Sequence, residues 1–180
     1  MLMRAENACL MIVDVQQRLL SAMDSPRSVL SGCSLMMKAA GVLNVPIVVT
    51  EQYPEGLGPT VEPLAELAPD DAFFSKVHFS SAQNTAISGK IGTIKPDQIV
   101  IAGIEAHVCV LQSALGFMEQ GYQCAVVADA TSSRSPANHA AAMTRLREAG
   151  VEIVTSEMII FEWLEKAGTD EFKELSRLIK

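Results

Sequence analysis

Residues 99–110, IVIAGIEAHVCV, compress a buried strand, a sharp turn and a thiol at a helix start into one short stretch. Ile99, Val100, Ile101 and Ala102 form an unbroken apolar run rich in β-branched side chains, the pattern of a strand covered on both faces in a parallel sheet. Gly103 ends that run. From His107 the apolar residues Val108, Leu111, Leu115 and Met118 recur at helical spacing, which places Cys109 in the first turn of a helix at the strand's carboxyl end. Unpaired backbone N–H groups and the helix dipole favour negative charge there, so the position predicts a lowered thiol pKa and donors for an oxyanion. A buried structural cysteine fits the same residues, and the stretch alone leaves both readings open.

Outward from that stretch, strand and helix signals alternate. Residues 8–13, ACLMIV, are a second unbroken apolar run that reads as a central strand and ends at Asp14. The following segment holds no glycine before Pro26, so the first strand-to-helix loop is neither a dinucleotide fingerprint nor a P-loop phosphate cradle. Ser25 and Pro26 read as the N-cap and first position of a helix through Ala40, with Gly41 near its end. Pro46 introduces a strand over 47–50. EQYPEGLGPT at 51–60 is a polar, turn-rich loop at that strand's carboxyl end, where open α/β sheets bind ligands. Phe73 and Phe74 lead into Ser75, Lys76 and Val77 as a third strand or its exit. Ser80 or Ser81 caps a helix to about Ile87, after which GKIGTIKPDQ returns the chain to Ile99. Beyond the Cys109 helix, Gly121 stops the pattern and residues 122–127 form a strand that exits into Asp129. A helix over 136–149, a strand over 151–154 and helices over 157–167 and 170–179 follow. This alternation predicts a doubly wound, mainly parallel six-stranded sheet with helices on both faces, a three-layer α/β/α Rossmann-like architecture, in one domain spanning 1–180.

Composition narrows the function. Fourteen basic against twenty-one acidic residues give a net charge of -7, and no Lys/Arg cluster is interleaved with aromatics, which argues against nucleic acid as a partner. No apolar run approaches the length needed to cross a bilayer, so no membrane partner is expected. The four cysteines, Cys9, Cys33, Cys109 and Cys124, have no zinc-type spacing, and the apolar N-terminus stops at Asp14 without a cleavage site; reduced thiols in a cytoplasmic protein are expected. The nine methionines lie mostly in apolar helical patterns and imply no cofactor.

Three chemistry-bearing residues stand at strand carboxyl ends: Asp14 after the first, Lys76 at the third, Cys109 after the fourth. If the strand order reverses beside the first strand, strands one and four are neighbours and Asp14 faces Cys109 across the crevice. The segments DVQQ at 14–17, TEQYPEGLGPT at 50–60, FSKVHFS at 74–80 and GIEAHVCV at 103–110 resemble the isochorismatase-like hydrolases, of the cysteine hydrolase superfamily, over nearly the whole chain. The TEQYP and GIEAHVCV forms are most similar to the branch of isochorismatase domain-containing proteins. The resemblance implies the isochorismatase-like fold, a triad of Asp14, Lys76 and Cys109, and a cis peptide between Ile104 and Glu105.

In that triad Cys109 attacks a carbonyl or imine carbon, Asp14 takes and returns the proton, and Lys76 keeps Asp14 ionised and favours the thiolate. Backbone N–H groups around Val108 and Cys109 would hold the oxyanion, beside the turn formed by Ile104 and Glu105. Gln16 orients the Asp14 loop or bonds backbone only; Tyr53, Glu105 and His107 line the pocket, with a helix-start hydrogen bond as the other reading for His107. His78 reads as a packing histidine. Two departures from relatives shape the expectation. Nicotinamidases carry an aspartate with histidines as a metal site after the second strand, where this chain has Glu51, Gln52 and Tyr53, so no metal and no cofactor are expected. Isochorismate-cleaving enzymes lack the cysteine, so isochorismate is not the expected substrate. The expected activity is hydrolysis of a small C–N bonded molecule, an amide or ureide, by a homo-oligomer. An interaction protein without turnover and a thiol-redox protein are the alternatives on the same fold.

Overall fold

The computed structural model describes residues 1–179. Its centre is a 6-stranded sheet made of β1 (Ala8–Val13), β2 (Ile47–Gln52), β3 (Phe73–Lys76), β4 (Gln98–Ile104), β5 (Gln123–Ser132) and β6 (Glu152–Val154), in the order β3-β2-β1-β4-β5-β6. Every pairing is parallel. The helices, in chain order, are α1 (Gln17–Leu20), α2 (Pro26–Val42), α3 (Pro54–Leu57), α4 (Glu62–Ala65), α5 (Thr85–Ile94), α6 (Leu111–Glu119), α7 (Pro136–Glu148), α8 (Ser156–Leu164) and α9 (Asp170–Ile179).

The two apolar runs occupy the middle of the sheet because only there are both faces covered: all residues of β1 and β4 are buried. Alternation then divides each strand between two cores. Leu10, Ile12, Val100 and Ala102 pack with Val29, Met36, Ile160 and Trp163 of α2 and α8. Cys9, Met11, Ile99 and Ile101 pack instead with Ile87, Phe117, Met143 and Leu146 of α5, α6 and α7. Cys9 and Cys124 are therefore core residues, and burial pushes each thiol up to about 12.

Gly103 lets β1 and β4 approach. It has φ +118, and a Cβ there would collide with the backbone of Val13, its register partner. The run therefore does not stop at Gly103: the strand continues through it to Ile104. Three further elements differ from expectation. The helix expected from Ser80 or Ser81 is a 3-10 turn at Ser81–Gln83 followed by α5, because Asn84 is the N-cap, accepting from the N–H groups of Ala86 and Ile87. Gly89 and Gly92, expected in the segment that returns the chain beyond that helix, lie inside α5. β5 runs to Ser132 through an irregularity in its pairing with β4, beyond the expected exit at Asp129. The loop after β2 contains α3 and is followed directly by α4.

The chain leaves β1 toward β2 and β3 on one side and takes β4, β5 and β6 on the other. The strand order thus reverses between β1 and β4, and the crevice at their carboxyl ends lies where open α/β sheets bind ligands.

Candidate active site

Asp14 is the residue directly after β1 and has φ +53, a left-handed conformation that carboxylate side chains tolerate better than most. Its N–H donates to the Thr50 carbonyl at 3.0 Å, and its own carbonyl accepts from Gln16 at 2.8 Å, so the turn is pinned on both sides. The side chain is fully buried. Thr50 Oγ1 donates to Asp14 Oδ1 at 2.7 Å, and Lys76 Nζ donates to Oδ2 at 2.7 Å.

Lys76 ends β3, with β2 between that strand and β1, and its long side chain reaches across to Asp14. Three acceptors receive its ammonium: Asp14 Oδ2, Gln52 Oε1 at 2.7 Å and the Phe79 carbonyl at 3.3 Å. Like Asp14, its side chain is shut off from water.

Cys109 sits in a π-helical turn, Ala106–Val110, that links β4 to α6. The Ile104–Glu105 peptide just before it is cis. Asp14 and Lys76 are the two charged groups that act on the thiol. Burial is the larger influence and pushes it up to about 12; Asp14 raises it further and Lys76 pulls it down. The lowered pKa expected from the helix start is therefore not what the structure gives, because desolvation of a largely buried sulfur outweighs the helix terminus. The resting group is a thiol, beside the Asp14–Lys76 pair.

The other expected residues divide by what they touch. Gln16 spans the loops: its Nε2 donates to the carbonyls of Gln52 at 3.0 Å and Gly58 at 2.6 Å, and its Oε1 accepts from Gln52 N–H at 2.8 Å. It is a strut under the Asp14 turn. The Ile104 side chain belongs to the core, so only its backbone faces the turn. The Val108 N–H donates to the Glu105 carbonyl at 3.1 Å, which takes it out of the donor set expected for an oxyanion. Tyr53 has φ +39, and its half-exposed ring rests on Gly56, where a Cβ would lie 2.5 Å from two ring carbons. His107 Nδ1 bonds Ser133 Oγ at 2.9 Å and its Nε2 lies 3.4 Å from Asn138 Nδ2, so the ring links the turn to the start of α7. Glu105 accepts from Arg134 Nε at 2.8 Å. His78 is exposed, not packed.

Thr50, Gln52, Ser133 and Arg134 were not picked out from sequence. Thr50 and Gln52 lie in an apolar strand and its exit, and only the period-two alternation of β2 hints that both point toward the same side. The residues at the carboxyl end of β2 do not suit a metal: Glu51 Oε1 is held by Thr60 N–H and Oγ1, each at 2.7 Å, and Gln52 Oε1 by Lys76. Among the described residues no three His, Cys, Asp or Glu side chains gather where a metal ion would be held. Cys124 sits near the amino end of β5, opposite Ile99, at the far end of the sheet from Cys109.

The isochorismatase domain model matches residues 8–158. The chain is 38% identical over 179 residues to the secreted isochorismatase effector Isc1 of Phytophthora sojae, covering 97% of this chain and 85% of that one. It is 36% identical to mouse isochorismatase domain-containing protein 2A over 176 residues, 97% of this chain and 84% of the relative. Among solved structures, the MAR1 ribonuclease of Caenorhabditis elegans superposes with a TM-score of 0.93 at 33% identity, covering 99% of this chain and 92% of that one. The Escherichia coli YcaC gene product, described as an octameric hydrolase of unknown specificity, shares the fold at a TM-score of 0.93 and 23% identity, over 98% and 90% of the two chains. Sequence and fold agree over nearly the full length, and the chain belongs to the isochorismatase family of hydrolases.

Proposed function

We propose that the protein is a metal-independent cysteine hydrolase that cleaves a small amide- or ureide-type C–N bond through a covalent intermediate on Cys109. The observation that carries this reading is the convergence of a thiol, a buried carboxylate and a buried ammonium from three strands at the switch point of the sheet. A thiol held near pKa 12 needs a base at the moment of attack, and Asp14 is the carboxylate beside it. Sγ forms a bond to the carbonyl carbon while its proton passes to Asp14. The C–N bond then breaks as Asp14 returns that proton to the leaving nitrogen, leaving a thioester. Water adds to the thioester carbon, giving its proton to Asp14. The C–S bond breaks, and Cys109 recovers the proton as the acid departs. The ammonium of Lys76 offsets the negative charge that moves between sulfur and carboxylate, and N–H groups of the 106–110 turn other than those of Val108 and Val110, both given to the Glu105 carbonyl, receive the oxyanion.

Tyr53, Glu105 and His107 form the rim at which substrate is selected, with Arg134 beside Glu105. The exposed side chains of Tyr53, Val77 and Phe79 lie on the loops next to Lys76 and suit assembly with further copies of the chain. The substrate is a small molecule, and one domain carries the reaction.

Cys109→Ala and Cys109→Ser test the reading. Incubation with a slow amide substrate is expected to add an acyl group to the Cys109 peptide, seen by mass spectrometry. The alanine variant loses both adduct and turnover, and the serine variant slows by orders of magnitude, since a hydroxyl is far harder to ionise. Turnover by Cys109→Ala near the wild-type rate would make water the attacking group and remove the proposal. A panel of amides, ureides and carbamates, with an RNA oligonucleotide alongside because one structural neighbour is a ribonuclease, identifies the substrate class.

A further inference from the structure

The contacts of Gln52 assign it a role that neither the family comparison nor the three-residue site contains. Lys76 Nζ has three hydrogens and three acceptors, and only one of these, Asp14, is charged. Gln52 supplies the second short bond at 2.7 Å. Its own orientation is fixed: Nε2 donates to the Val77 carbonyl at 2.9 Å, so Oε1 is the atom that faces the ammonium. Its backbone is tied in turn, N–H to Gln16 Oε1 and carbonyl to Gln16 Nε2. A residue held at two side-chain and two backbone points is aimed, and what it presents to a buried cation is a neutral acceptor.

We infer that Gln52 is a positioning residue that satisfies Lys76 without cancelling its charge, leaving one uncompensated positive charge for the Cys109 thiolate once Asp14 has taken the proton. The reasoning is electrostatic. Two carboxylates on one ammonium would leave the pocket with net negative charge and disfavour a thiolate, whereas one carboxylate and one amide leave the pair neutral before proton transfer and cationic after it. At rest the three acceptors engage the hydrogens of Lys76, and both its charge and its hydrogen bonding favour the thiolate of Cys109. This inference rests on the cysteine-hydrolase reading, but its test needs no substrate.

The measurement is the rate at which iodoacetamide alkylates Cys109 at pH 8, followed on the Cys109 peptide by mass spectrometry. Alkylation forms an S–C bond, expels iodide and releases the thiol proton to solvent, so its rate follows the thiolate fraction. Gln52→Glu, close in shape but anionic, is expected to slow labelling by about tenfold or more, the equivalent of one pKa unit. Gln52→Met, uncharged but unable to accept, is expected to fall between wild type and Gln52→Glu. A space-filling or purely structural role predicts the reverse order, with the near-isosteric glutamate mild and the methionine severe, and that order would overturn the inference. Should Gln52→Glu fail to fold, Gln52→Met decides alone: a loss greater than tenfold means that neutrality is not what matters. Lys76→Met separates the two levels of the proposal. If it leaves labelling unchanged, the cation has no role at the thiol and the triad reading fails; if it slows labelling while Gln52→Glu does not, only the role of Gln52 fails.

Discussion

At the scale of single residues the site is organised by one buried ion pair. Lys76 and Asp14 have no exposed side-chain surface, and their bond of 2.7 Å is supported by Thr50, Gln52 and a carbonyl. Removing one partner of such a pair leaves a buried charge without its counter-ion, at a cost of about 3–5 kcal/mol. Asp14→Asn is therefore expected to lower stability by about that amount as well as to abolish turnover, despite the amide's matching shape. Asp14→Asn combined with Lys76→Met restores much of the stability and none of the activity, as thermal melts and turnover assays on the pair will show. Equal activity in wild type and Asp14→Asn would remove Asp14 from the chemistry. The thiol gives a second expectation. Because Cys109 is pushed up to about 12, thiol is the dominant form throughout the physiological range and its thiolate fraction rises tenfold per pH unit. Iodoacetamide labelling of Cys109 should accordingly rise about tenfold from pH 7 to pH 8, with Cys9, Cys33 and Cys124 reacting far more slowly because none of these buried thiols has a carboxylate–ammonium pair acting on it. A flat profile would show a thiol already ionised at neutral pH.

Individual elements position those residues. β1 and β4 deliver Asp14 and the Cys109 turn to adjacent points because they pair in register from Ala8↔Gln98 to Val13↔Gly103. Gly103 is where that pairing demands the absence of a side chain. A Cβ at this position would lie 2.6 Å from the Val13 nitrogen, and its backbone has a positive φ. Gly103→Ala is expected to cost about 2–5 kcal/mol from overpacking and backbone strain together, and to reduce turnover by displacing the Asp14 turn. Denaturant melts check the first effect. Gly41→Ala serves as the comparison, since nothing lies within 4 Å of a Cβ there. The π-helical turn carries Cys109 between β4 and α6 and changes the helical phase ahead of the apolar stripe of Leu111, Ala114 and Phe117.

For the whole molecule, the two cores on either side of the sheet hold the switch point rigid, and the site is assembled from segments far apart in sequence. Exhaustive chelation with EDTA is expected to leave activity intact, because the polar groups at the end of β2 are spent on Thr60 and Lys76. Loss of activity restored by one added metal would contradict this. Light scattering is expected to report a mass above the 19.3 kDa of one chain, and Phe79→Glu to lower it if the apolar rim beside Lys76 is the contact. Among the described residues no helix is long and apolar enough to cross a membrane.

Alternating signals along the chain were enough to determine the α/β class, because continuous apolar runs such as 8–13 and 99–102 can be satisfied only in the middle of a doubly covered sheet. They also placed Asp14, Lys76 and Cys109 at strand carboxyl ends, since Asp14 directly follows an apolar run, Lys76 closes the short 73–76 strand, and Cys109 lies in the turn beyond the 99–102 run. Boundaries set by a local competition were less legible: Asn84 outranked Ser80 and Ser81 as a cap, and Gly89 and Gly92 were carried inside α5 by packing of Ile87 and Ile91. Three properties belong to the tertiary structure alone. Burial reversed the expected direction of the Cys109 pKa, because desolvation depends on what surrounds the sulfur and not on where the helix starts. The commitment of Gln16 and Val108 to backbone partners followed from loop geometry. The encirclement of Lys76 by Asp14, Gln52 and Phe79 joins three separate strand ends. No periodicity encodes such a contact, because it is set by which strands the fold makes neighbours.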